Sequence, residues 1–116
     1  MPIDGTWISF IGLLTLTSNG TSLTGTYQPA NANPNLPPPT APLPLVGWTN
    51  STNDPSVGWT ALSAAGGNDV TSWAGQYYAD GQPETIIAFR IQQTVPASGV
   101  PIGSPTTGEE VFVRRQ

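Results

Sequence analysis

Three side chains that carry much of the acid–base and metal chemistry of proteins do not occur in this chain: it has no cysteine, no histidine and no lysine. Without Cys there is no disulfide framework and no thiol chemistry. Without His the usual zinc sites, the Ser-His-Asp and Cys-His arrangements and imidazole proton shuttling are excluded. The cationic side chains are Arg90, Arg114 and Arg115 alone. That excludes a P-loop, a Schiff-base lysine and the electrostatic footprint of a nucleic-acid partner. No apolar run approaches transmembrane length, so no membrane partner is expected either. Charged residues make up 9% of the chain and the net charge is −4, which leaves solubility to Thr, Ser, Asn and Gln, polar residues that suit the outer faces of strands. Met1-Pro2-Ile3-Asp4 has neither the basic start nor the apolar run of a signal peptide. The expected setting is cytoplasmic, or a mature secreted form with an added Met. The sequons at Asn19 and Asn50 would matter only on a eukaryotic secretory route.

What is present is strand pattern. The 116 residues suffice for one domain, 1–116, with a core that needs neither disulfide nor metal. In Thr71 to Tyr77, Thr71, Trp73, Gly75 and Tyr77 fall on one face of a strand, a face with a hydroxyl, an indole and a gap. That is how a wall looks when it leaves room for a flat ligand, since Gly admits close approach and Trp offers a broad apolar surface. The same alternation gives strands over Thr6 to Phe10 and Leu13 to Thr17, bent at Gly12, and over Ser22 to Gln28 after an Asn19-Gly20 hairpin turn. Further strands run over Leu45 to Asn50 and over Val57 to Ala64, the latter with Trp59, Ala61 and Ser63 on one face. Thr85 to Thr94 follows, with Thr85, Ile87, Phe89 and Ile91 expected inward, and Glu109 to Arg114 closes the set. Pro29 to Pro44 holds more than half of the chain's prolines and reads as a stiff loop, a lid over a binding site. No helix-period segment is seen. Eight short strands at hairpin spacing predict an all-β, eight-stranded antiparallel up-and-down β-barrel, which encloses room for one small ligand.

Gly5-Thr6-Trp7, Leu23-Thr24-Gly25-Thr26-Tyr27, Val57-Gly58-Trp59-Thr60, Thr71-Ser72-Trp73-Ala74-Gly75-Gln76-Tyr77 and Gly108-Glu109-Glu110-Val111-Phe112 stand in this order along nearly the whole chain. In order and near-spacing they resemble the avidin and streptavidin family, whose members bind biotin in the barrel mouth. The resemblance implies biotin as the ligand and no cofactor. It puts Tyr27 on the ureido oxygen, Trp73 on an aromatic wall, Thr71 on the ligand's sulfur, Asn33 on its carboxylate and Glu110 on a ureido N–H, where the family has Asp or Asn. A one-residue slip would bring in Glu109 instead. Trp59 and Ile91 line the interior. Departures are expected at Ser9 for an asparagine, Leu13, Pro29 and Asp69 for serines, Phe89 for a wall tryptophan and Ser63 for another large ring. Ile102 or a neighbour stands where tetrameric members place a capping tryptophan.

The lost hydrogen bonds and aromatic walls together remove about 5 to 12 kcal/mol of binding energy. The expected dissociation constant for biotin then lies between roughly nanomolar and tens of micromolar. An outward Val111 and Val113, without the capping tryptophan, resemble the dimeric members, so a homodimer is expected. Two other ligand readings stay open: the same barrel with a different heterocycle, sugar or peptide, and a lectin-like interaction protein using Trp48, Tyr78 and the proline-rich loop outside the barrel. Catalysis is not expected. A two-carboxylate glycosidase is the one conceivable mechanism, and Glu109 and Glu110 lie on opposite faces of one strand.

Overall fold

The computed structural model describes residues 2–29, 42–50, 53–62, 69–80, 83–94 and 106–115. Asn33, Ser63, Ile102 and most of the proline-rich loop lie outside the described residues, as does the side chain of Asp69. The strands in chain order are β1 (Gly5–Ile8), β2 (Gly12–Asn19), β3 (Ser22–Pro29), β4 (Leu43–Thr49), β5 (Ser56–Leu62), β6 (Asp69–Tyr78), β7 (Thr85–Thr94) and β8 (Thr106–Arg114). Each pairs antiparallel with the next, and β8 returns to β1, so the sheet is a closed eight-stranded barrel with no free edge.

Most strand boundaries shift by one to three residues from the sequence reading, and β7 alone coincides with it. The bend expected at Gly12 is a turn over Ser9 to Ile11, fixed by the N–H groups of Ile11 and Gly12 donating to Ser9 Oγ at 3.2 and 3.0 Å. The proline-rich segment yields its last residues to β4, where Pro44 sits near the strand's start opposite Thr26 and costs little. β8 begins at Thr106, before the expected Glu109.

Alternation selects the interior. Leu14, Leu16, Leu23, Tyr27, Val57, Trp59, Ala61, Trp73, Tyr77 and Phe112 are all buried, as their strand positions require. On β7 the expected face is the wrong one. Ile86 and Ala88 are buried, whereas Ile87, Phe89 and Ile91 are 37%, 53% and 48% exposed. The register explains it: Tyr77 pairs with Ile86 and Trp73 with Arg90, and directly paired residues share a face. With the two rings inside, Arg90 is inside and Phe89 is outside. Gly75 is not a gap for a ligand, because a Cβ there would lie 2.4 Å from the Ile87 carbonyl oxygen; its missing side chain lets β6 and β7 approach.

The two ends of the barrel differ. At the end that holds the termini, Trp7 is fully buried and its indole N–H donates to the Ile3 carbonyl at 2.9 Å. Tyr77 meets Trp7 edge-on at 6.1 Å, and the Arg114 guanidinium lies 4.3 Å from the centre of the Trp7 ring. Arg114 also donates to Glu84 at 2.7 Å and to the carbonyls of Asp4 and Pro2. This end is plugged. At the other end lie the Ser9 to Ile11 turn and the strand ends Pro29, Leu43, Leu62, Asp69, Thr94 and Thr106.

Candidate ligand-binding site

Four rings form a contiguous layer inside the barrel. Trp59 and Trp73 are neighbours on β5 and β6 and stack at 5.6 Å with 20° between their planes. Tyr27 lies 4.7 Å from Trp73, and Phe112 meets Tyr27 and Trp59 edge-on at 6.4 and 5.8 Å. Gly12 is what admits Tyr27, for a Cβ at that position would lie 2.3 Å from the phenol ring.

Above this layer β8 places Glu110, which is 3% exposed. Three hydrogen bonds converge on its carboxylate. The Trp73 indole N–H donates to Oε1 at 2.9 Å, and the hydroxyls of Tyr27 and Ser9 donate to Oε2 at 3.0 and 2.5 Å. Ser9 is held for this by the two backbone N–H groups it accepts from in the β1–β2 turn. The Arg90 Nε lies 3.8 Å from Oε1, close enough for charge attraction and too far for a hydrogen bond. Burial, reinforced by the charge of Glu110 and its hydrogen bond, pushes the Tyr27 phenol well above its ordinary range. Tyr27 is therefore a hydroxyl donor at any physiological pH. Both buried side-chain nitrogens without a hydrogen-bond partner among the described residues, Trp59 Nε1 and Arg90 Nε, are donors. Among the described residues no cluster of acidic side chains could hold a metal ion.

The molecule is thus a barrel of eight antiparallel strands with a polar cluster seated on an aromatic floor. The model of the Avidin family matches residues 2–115. The chain is a member of the avidin family. This is a non-enzymatic, biotin-binding family, and the barrel is of its type. Among solved structures, Xenavidin superposes with a TM-score of 0.81 at 22% identity, covering 97% of each chain. The biotin binding protein from chicken gives 0.78 at 20% identity over 98% of this chain and 96% of the other. Apo short afifavidin gives 0.71 at 28% identity over 95% and 93%. A search of curated protein sequences finds no match.

The avidin-like residues expected at the site are brought together unevenly. Tyr27, Trp73, Ser9 and Glu110 meet directly, and Thr71 sits half-buried one inward step from Trp73. The choice between adjacent glutamates is settled by burial, since Glu110 faces in and Glu109 is exposed. Trp59 is part of the floor. Phe89 and Ile91 are not on the pocket wall; they lie on the outer surface because β7 is in the other register. Asn33 and Ser63 fall outside the described residues.

Sequence reasoning missed Arg90. On β7 the more apolar stripe, Ile87, Phe89 and Ile91, faces outward, so hydrophobicity pointed the wrong way. The antiparallel pairing of Tyr77 with Ile86 and of Trp73 with Arg90 is what brings it inside.

Proposed function

We propose that this avidin-family barrel binds biotin or a biotin-like small molecule at the end opposite the termini, non-covalently and less tightly than a barrel whose hydroxyls are unengaged. The observation that carries this is the convergence of Ser9, Tyr27 and Trp73 on Glu110. Such a cluster offers donors to a carbonyl oxygen and an acceptor to an N–H, the pair of functions that a cyclic urea needs. Trp73 supplies the wall and Thr71 a hydroxyl beside the ring. Weakness follows from the length of Glu110, whose Oε2 already receives both hydroxyls. A ureido oxygen must compete with a carboxylate for them, and each neutral hydrogen bond forgone costs about 0.5 to 1.5 kcal/mol.

Titrating biotin into Trp73→Ala and Tyr27→Phe tests the reading, since both should bind more weakly than the parent while Trp48→Ala should not. The reverse pattern would favour a sugar or peptide site on the outer wall, where Trp48 is 70% exposed beside a groove of about 840 Å³.

The same reading includes a homodimer. Ile87, Phe89 and Ile91 on β7 and Val111 on β8 form an exposed apolar band, with Ile87 paired directly to Val111. Contiguous exposed apolar surface of this kind supports a contact between copies. Light scattering at micromolar concentration should give a dimer mass and Phe89→Glu a monomer; a monomer mass for the parent would contradict it.

A further inference from the structure

We propose that Arg90 is a positioning residue for ligand entry: it draws the Glu110 carboxylate off the Ser9 and Tyr27 hydroxyls when a cyclic urea arrives to take them. The inference deepens the reading of the end opposite the termini as the ligand site, and rests on it.

The carboxylate stands between two sets of donors. β8 lies between β7 and β1 in the barrel, so Arg90 approaches Glu110 from one side and Ser9 from the other. On the β1 side Oε2 takes the protons of Ser9 and Tyr27, at 2.5 and 3.0 Å. On the β7 side the Arg90 Nε lies 3.8 Å from Oε1, buried and without a hydrogen-bond partner among the described residues. A hydrogen bond from a guanidinium to a carboxylate is about 2.7 to 2.9 Å long, so the gap to be closed is about 1 Å.

Neither hydroxyl is stranded by that move. Ser9 Oγ also lies 3.3 Å from the Gly12 carbonyl oxygen, and Tyr27 Oη 3.3 Å from that of Ile11, acceptors that hold each proton until the ligand's oxygen takes it. On the other side a bond between opposite charges replaces bonds from uncharged hydroxyls, and a buried donor gains the partner it lacks. The Trp73 indole N–H, 2.9 Å from Oε1, is the fixed point about which the carboxylate turns. Before the turn the anion holds the donors that a urea oxygen needs. After it those donors are free, and Glu110 still presents an acceptor to a ureido N–H.

The chain has three arginines and no lysine, so the arginine Nε–H signals in a nitrogen–proton NMR spectrum are few and Arg90 is identified by the signal lost in Arg90→Gln. Removing the hydroxyl donors should move Glu110 with no ligand present. In the double variant Ser9→Ala, Tyr27→Phe the Arg90 Nε–H signal is expected at higher frequency and in slower exchange with solvent. Tyr27→Phe alone, which leaves the Ser9 turn intact, should shift it part of the way. 2-Imidazolidinone, a cyclic urea with neither carboxylate nor aromatic ring, and biotin are then titrated into the parent. Both are expected to shift the same signal in the same direction, and both to bind about tenfold more weakly to Arg90→Gln, with part of the loss returned in Arg90→Lys. If the variants move the signal and neither urea binds, the positioning role stands and the biotin reading falls. If biotin binds the parent and Arg90→Gln equally, and neither ligand nor variant moves the signal, the role is overturned and the biotin reading stands. An unmoved signal with no binding would overturn both.

Discussion

Each end of the barrel holds a glutamate, a tyrosine hydroxyl and an arginine, and the two trios are bonded differently. At the plugged end Arg114 donates to Glu84 at 2.7 Å, donates to two backbone carbonyls and lies over the Trp7 ring, while Tyr77 also donates to Glu84. Arg114 is fully engaged there. At the opposite end Arg90 stops 3.8 Å short of Glu110 and its Nε has no partner among the described residues, although the carboxylate is the more deeply buried of the two. Directional satisfaction distinguishes a latch from a site. One trio ties Pro2 and Asp4 to the ends of β6 and β8 through Arg114, Glu84 and Tyr77, whereas the other leaves a buried donor without a partner among the described residues.

The comparison is broken most severely at Glu110. Glu110→Leu removes the acceptor of three hydrogen bonds and leaves Arg90 as an uncompensated charge, so urea unfolding should show a loss of about 3 kcal/mol. The next effect belongs to the plugged end. Arg114→Ala loses an ion pair, two carbonyl contacts and the stacking on Trp7, and should cost about 2 kcal/mol in the same measurement. A loss as large as that at Glu110 would show that burial does not separate the two trios.

Glu110→Asp sharpens the contrast. Drawing the carboxylate back by one methylene frees the Ser9 and Tyr27 hydroxyls, so the affinity for biotin measured by calorimetry should rise about tenfold. An unchanged affinity would mean that those hydroxyls do not meet the ligand.

The smallest effect is on pH dependence. The hydrogen bonds from Tyr77 and Arg114 hold the Glu84 carboxyl below its usual range. A carboxyl whose folded pKa is depressed contributes stability above its unfolded value, near 4.3, and loses it as pH falls through the folded value. The melting temperature should therefore drop as pH falls below about 5, and drop less steeply in Glu84→Gln. Equal slopes in the two proteins would remove Glu84 from the latch.

Much of this was legible in the chain. The barrel followed from alternating strands separated by turn residues, and the meeting of Tyr27, Trp73 and Glu110 followed from their inward positions and from the family's motifs. What escaped had physical causes. The inward face of β7 is hidden from periodicity because its outer stripe, Ile87, Phe89 and Ile91, is more apolar than its inner one. That single slip put Phe89 and Ile91 in the pocket and hid Arg90. The room seen at Gly75 belonged to strand packing. The reach of Glu110 to both hydroxyls depends on side-chain length in three dimensions, which periodicity does not encode.

The central claim, that the end opposite the termini is a ligand site where the plugged end is a finished latch, is tested most directly by titrating biotin calorimetrically into the purified protein. The account predicts heat that saturates at one ligand per chain, with affinity below that of a barrel whose hydroxyls are unengaged. No heat up to millimolar biotin would contradict it.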